Sequence, residues 1–288
     1  MKRYGVLLTA FTLLILLSVA AEPSDIPTTA FLVAALKYQE QESGLSLEVN
    51  YRVDAVGEPK VGSGRSEIRY VRTPQSLFLE ESQFTFTASG EWKLANTAKY
   101  SYDRRTRKYR TISTHAREHA KTYAQIETTS MTRFAQNTVL DPARFSLVMT
   151  PLYDRVSSGE VRPKQEMIDG HACWRIDIAP SDVGCVMVGW SVWLDPEIGY
   201  CPRRIAQTNK QDAKTTTKIT TFGDYKLLAG DVWFPMEMIA DYGDGSGLQI
   251  TVQNATAGRD IPQSDLRVDF PSGTCVTDKM LDSTYTIP

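Results

Sequence analysis

From Leu45 to Asp54 the chain alternates apolar and polar residues without a break: Leu45, Leu47, Val49, Tyr51 and Val53 against Ser46, Glu48, Asn50, Arg52 and Asp54. A period of two puts all five apolar side chains on one face of a strand, and no helix can do the same. A slip of one residue would turn that whole set to water, so both the strand and its buried side are specified. Shorter β-rich runs follow at 67–73, 76–81, 84–88, 99–103 and 108–113, then at 172–179, 187–195, 202–207, 215–221, 225–228, 232–241 and 248–254, each bounded by turn residues. Short strands joined by turns predict an antiparallel meander, and the chain reads as mainly β with a few helices (α+β).

One helix precedes the strands. After Pro27, residues 28–41 space Phe31, Leu32, Ala35, Leu36 and Tyr38 at about three and four, with Thr28 or Thr29 as cap and Gly44 as stop. Between about 115 and 160 the alternation lapses. There Asp141-Pro142 and Thr150-Pro151 each pair a cap with proline at the first helical position, and Gly159 can end a helix. One or two short middle helices covering the sheet are expected. No proline- or glycine-rich linker, internal repeat or low-complexity tract divides the chain, which predicts a single domain over residues 22–288.

Residues 1–21 read as a secretory signal peptide: basic Lys2 and Arg3, an apolar stretch at 6–17, and the small residues Ser18, Ala20 and Ala21 at the peptidase positions, with cleavage after Ala20 or Ala21. Losing the leader's two basic residues takes the formal charge from −2 to −4. That balance argues against a nucleic-acid partner, which usually requires a basic excess. A soluble periplasmic or otherwise exported monomer is expected, in an oxidising compartment where Cys173, Cys185, Cys201 and Cys275 would form disulfides. Three connectivities are open, Cys173/Cys185 with Cys201/Cys275 among them.

Catalytic stock is thin, with three histidines in 288 residues. His115, Glu118 and His119 match the H-x-x-E-H pattern of some zinc peptidases, but a third ligand has no candidate and polar surface residues explain the match better. The cysteine spacing does not suit structural zinc. The segment 241–247 has a calcium loop's composition without its ligand ladder and reads as a hairpin turn. Nucleophile-elbow, Walker and dinucleotide motifs are missing. The reading is of a non-enzymatic protein without cofactor or metal, an exported hydrolase ranking third among the functions considered.

Binding is better supplied. Val49, Tyr51, Phe84, Phe86, Trp190, Val192, Phe234 and Met236 sit in strands with more apolar bulk than a thin sheet needs under one helix. Such a sheet either curls over a packed core or encloses a cavity, and these eight residues are the candidate lining. Arg104, Arg105, Arg107, Lys108 and Arg110 form the one marked basic cluster, flanked by Tyr100, Tyr102 and Tyr109. They suit anionic headgroups or an acidic partner, or simply a solvated hairpin tip with residues 103–106 as its turn.

The stretch Val192-Trp193-Leu194-Asp195-Pro196-Glu197-Ile198-Gly199-Tyr200-Cys201-Pro202-Arg203 resembles the D-P-x-x-G-x-x-P signature of the LolA/LolB-like periplasmic lipoprotein carriers. A strand ends at Asp-Pro, the chain turns through Gly199, and Pro202 starts the return strand. In the same order, residues 170–175 resemble the preceding strand, 230–235 (G-D-V-W-F-P) the following one, and 270–278 the ending of a broader group of LolA-like exported proteins. The resemblance implies an incomplete antiparallel β-barrel, or strongly curved sheet, with helices over its open face and an apolar cavity for lipid or lipoprotein acyl chains. It also implies an inner- or outer-membrane partner protein. A related use of the fold, in RseB-like sensors, is an interaction protein without carrier activity.

Overall fold

In the computed structural model, residues 26–39, 45–116, 122–128, 152–183, 186–211 and 214–288 are described. The signal-peptide segment, Glu118, His119, Cys185 and the proline-marked middle segment before Leu152 lie outside them.

Helix α1 (Thr29–Lys37) opens the described chain, with the Thr28 side chain accepting from the Phe31 amide at 3.2 Å. Six strands follow in a meander: β1 (Leu47–Ala55), β2 (Gly64–Arg72), β3 (Ser76–Phe86), β4 (Trp92–Asp103), β5 (Lys108–His115) and β6 (Thr122–Thr128). The long alternating run is β1, whose inward residues are buried as its period requires. The two runs read at 76–81 and 84–88 are one strand, β3, bent by a bulge at Gln83/Phe84 in its pairing with β4.

After the short helix α2 (Leu152–Val156) come β7 (Glu160–Val161), β8 (Glu166–Ile168), β9 (His171–Val183), β10 (Val186–Asp195), β11 (Cys201–Gln211) and β12 (Lys214–Gly223). The hairpin of β13 (Lys226–Leu228) and β14 (Val232–Phe234) stands apart as a two-stranded sheet. β15 (Glu237–Asp241) and β16 (Gly247–Ala257) return to the main sheet, and β17 (Cys275–Asp278) with β18 (Ser283–Thr286) ends the chain. The expected continuous strand over 232–241 is broken at Pro235, which has no N–H to give a ladder.

The sheet has sixteen strands, running from β18 at one edge through β6 and β1 to β7 at the other, and it does not close. β16 pairs with β1 and so joins the first meander to the second half. Among the described strands every pair is antiparallel except β17 on β6, which is parallel. Bulges at Asn50/Tyr51, Val188/Trp190 and Trp193/Leu194 bend the strands.

The curvature is visible in the core. One cluster takes Tyr109 from β5, Tyr70 from β2, Tyr51 from β1, Ile250 from β16 and Ile176 from β9, together with Leu32 and Leu36 of α1 and Leu152 and Val156 of α2. Strands that far apart in the order share a core only if the sheet curls around the helices. The outer face carries two smaller clusters, one of which packs Val71, Phe78, Ile112 and Ile126 under Leu266, Val268 and Val276 of the C-terminal segment.

The disulfide expectation is corrected for the described cysteines: Cys173, Cys201 and Cys275 form no disulfide. Asp195 of β10 stands opposite Cys201 of β11, while β9, with Cys173 at its start, lies on the other side of β10. Two strand spacings, roughly 9.5 Å, separate β9 from β11, beyond the Cα separation a disulfide spans. Cys275 is paired with Tyr123 near the far edge of the sheet.

Candidate ligand-binding face

The inner face is built from side chains that alternate out of the two halves of the sheet. In the first half, Val49 lies between Tyr70 and Ala255, and Tyr51 between Ile68 and Val252. In the second, Val192 lies between Ile176 and Ile205, and Trp190 is opposite Ile178. Val49, Tyr51, Val192 and Phe234 are buried, while Trp190 and Met236 are half-buried at the margin of the same cluster. Six of the eight candidate lining residues are thus brought together. Phe84 and Phe86 are not. Phe84 is opposite Arg65, whose guanidinium bonds Asp54, and Phe86 packs on Trp92 at 5.2 Å.

Two short helices lie on this face, and their attachment explains the turn at Asp195. The Asp195 carboxylate is fully buried; Oδ1 accepts from the Glu197 amide at 2.8 Å and Oδ2 from Arg203 Nε at 2.9 Å. Gly199 and Tyr200 follow in the left-handed region, at φ 66° and 64°. That reversal presents the Tyr200 ring edge-on to Phe31 of α1 at 5.2 Å. At the other end of α1, Gln39 Oε1 accepts from the Trp233 amide and the Tyr38 hydroxyl donates to the Gly230 carbonyl. Gly199 takes its left-handed φ without strain, and a Cβ there would stand 2.7 Å from Gln39 Nε2 and displace that amide. The D-P-x-x-G signature therefore seats the helix that covers the inner face.

His171, Asp195 and Glu197 bring three potential metal ligands within 4.8 Å of one another. Arg203 already takes that space, 2.9 Å from Asp195 and 3.5 Å from His171, and a guanidinium there opposes a cation. Nearby, burial foremost and the Asp195 charge second push the Cys173 thiol up to about 12, so it is no nucleophile at neutral pH. Burial also raises the pKa of the Tyr225 hydroxyl, which donates to the Pro202 carbonyl beneath the Arg203 guanidinium. These groups are occupied in holding the turn.

The sequence reading missed one residue. Arg155 of α2 lies 4.4 Å above the Trp190 ring, and burial lowers its pKa. It places a cation at the margin of an apolar face. Its segment has no periodicity, so only the structure pairs it with Trp190.

The basic cluster falls elsewhere. Residues 104–107 are the turn between β4 and β5, closed by Asp103 Oδ1 accepting from the Thr106 amide at 2.8 Å. Arg105 and Arg107 are exposed and Arg104 is half-buried, while Lys108 and Arg110 begin β5 on the outer face. His115 is the last residue of β5. The 241–247 segment is the β15–β16 hairpin, with Asp241 Oδ1 accepting from the Gly243 amide. No described helix is long and apolar enough to cross a membrane.

No family model and no curated protein matches the chain. Among solved structures it is similar to a DUF1329 family protein from Desulfovibrio piger, with 14% identity, TM-score 0.46, and 84% of this chain and 100% of that one covered. A domain assigned to outer membrane lipoprotein sorting, from Vibrio parahaemolyticus, gives 13%, TM-score 0.43, and 82% and 94%. A LolA superfamily protein from Nitrosomonas europaea gives 11%, TM-score 0.42, and 85% and 99%.

Proposed function

We propose that this is an exported, non-enzymatic envelope protein that takes a lipid, a lipoprotein acyl chain or another amphipathic ligand on its inner face. The observation that carries the reading is the open sheet curled around an apolar face, with Trp190 and Met236 left half-buried at its margin and the Arg155 cation over the Trp190 ring. Short helices are the elements such a face can release, since α1 and α2 are too short to be stable alone. Burying an acyl chain yields about 0.8 kcal/mol per CH₂, so a 14-carbon chain gains on the order of 10 kcal/mol before ordering costs. Arg155 suits the acidic end of such a ligand.

The test is uptake of a fluorescent fatty acid by delipidated protein, alongside native mass spectrometry of the protein as purified. Saturable uptake is expected, weakened by Trp190→Ala and by Met236→Glu. A protein that takes up no probe and carries no lipid overturns the reading.

A further inference from the structure

The outer face carries a cavity of about 220 Å³, remote from the inner face proposed to take an acyl chain. Its floor follows from strand register. Ser76, Asp103 and Lys108 stand in one cross-strand row of β3, β4 and β5, and Phe78, Ser101 and Arg110 in the next. Phe78 belongs to the outer cluster, so both rows face away from the helices. Gln263, Leu266 and Arg267 of the C-terminal segment form the roof, and Gln263 Nε2 donates to Ser76 Oγ.

The charges of this cavity are unbalanced. Lys108, Arg110 and Arg267 line it against the single carboxylate of Asp103. That carboxylate closes the hairpin turn, accepting from the Thr106 amide, and this bond holds its pKa below the usual carboxylate range. Arg267 pairs with the exposed Asp269 at 3.1 Å. Lys108 and Arg110 have no ion pair among the described residues. Arg110 is nevertheless held in place: its Nη1 donates to the Val268 carbonyl at 3.4 Å and its guanidinium lies 5.9 Å from the Phe270 ring. The hydroxyls of Ser76, Ser101 and Thr106 supply neutral donors around the same space.

A fixed guanidinium, an ammonium and several hydroxyls around one cavity match an oxyanion with many acceptor oxygens. We propose that this cavity binds a phosphoryl group, with Arg110 and Lys108 as its charged ligands. The group arrives either on a small solute or on a lipid headgroup, and the exposed Arg105 and Arg107 at the adjacent turn add attraction to an anionic surface in the second case.

The test uses the full chain. Inorganic phosphate is titrated by calorimetry, and phosphatidylcholine vesicles with and without phosphatidic acid are sedimented with the protein. Lys108→Glu is the main variant, because Lys108 is only partly buried and belongs to neither hydrophobic cluster. Arg110→Gln is the second, its folding checked by thermal denaturation. Binding of phosphate, or of phosphatidic acid vesicles only, is expected, weakened about tenfold or more in each variant. Phosphate without vesicle binding assigns the site to a solute, and vesicle binding that phosphate competes away assigns it to a headgroup. Unchanged binding in Lys108→Glu, or wild-type protein that binds neither probe, overturns the proposal. Fatty-acid uptake on the inner face is expected to be the same in Lys108→Glu as in wild type, which separates this outcome from that of the acyl site.

Discussion

Asp195 is a carboxylate with no exposed surface, and Arg203 and the Glu197 amide meet both its oxygens. Removing one partner of such a pair is worse than never having had it, because the remaining charge stays buried. Arg203 keeps only 11% of its side chain exposed. Asp195→Ala is therefore expected to cost about 3–5 kcal/mol. Asp195→Asn, which keeps the cap but not the charge, is expected to cost less. Urea unfolding checks both. Equal stability of Asp195→Ala and wild type would show that the turn is held by Gly199 and Pro202 alone. Asp177 behaves similarly at lower stakes. Burial opposes its charge, but bonds from Ser191, Arg175 and Arg162 outweigh that and hold its pKa below the ordinary value. Its stabilisation is full above the unfolded value of ~3.9 and is gone once the pH has fallen through the lower native one.

Helix α1 has nine residues, too few to be stable alone, so its order depends on what it packs against. Leu32 and Leu36 are fully buried in the inner cluster, while Phe31, about half exposed, only leans on Tyr200. Leu36→Ala is expected to lose about 2–5 kcal/mol, and Phe31→Ala nearer 1 kcal/mol. Thermal or urea midpoints will separate the two, and equal losses would mean that α1 is not the inner lid. The same helix shows what local pattern encodes. Apolar spacing and the Thr28 cap are properties of neighbouring residues, and so is the alternation of β1; both elements form where the pattern places them. Phe84 and Phe86 show the limit. Alternation says that they share a face but not which one, and pairing with Arg65 puts Phe84 opposite an ion-paired arginine. Arg155 over Trp190 and the roof over Lys108 join distant segments, and no local period reports such meetings.

At the level of the whole molecule, an open sheet must cover two faces, and the helices cover only one. The other depends on the C-terminal segment, where Leu266, Val268 and Val276 bury Val71, Phe78, Ile112, Ala124 and Ile126, and β17 adds itself to β6. The sequence identified residues 270–278 as an ending without showing what they cover, because a short parallel strand placed by a distant partner has no turn signature of its own. Full burial of a large apolar side chain contributes about 1.5–3 kcal/mol, so the three tail residues alone supply roughly 5–9 kcal/mol, before counting the five they shield. Typical domains are stable by only about 5–15 kcal/mol. A chain ending at residue 260 is therefore expected to lose cooperative unfolding, bind an apolar dye and associate through the bared outer face and the uncovered edge of β6. Size exclusion and dye fluorescence check this directly. A truncated chain that stays monomeric and dye-free would place the stability of the β2–β6 half in its inner face alone. It would also make the roof of the phosphoryl cavity a separable element, one that could be removed while phosphate binding to the full chain serves as the reference.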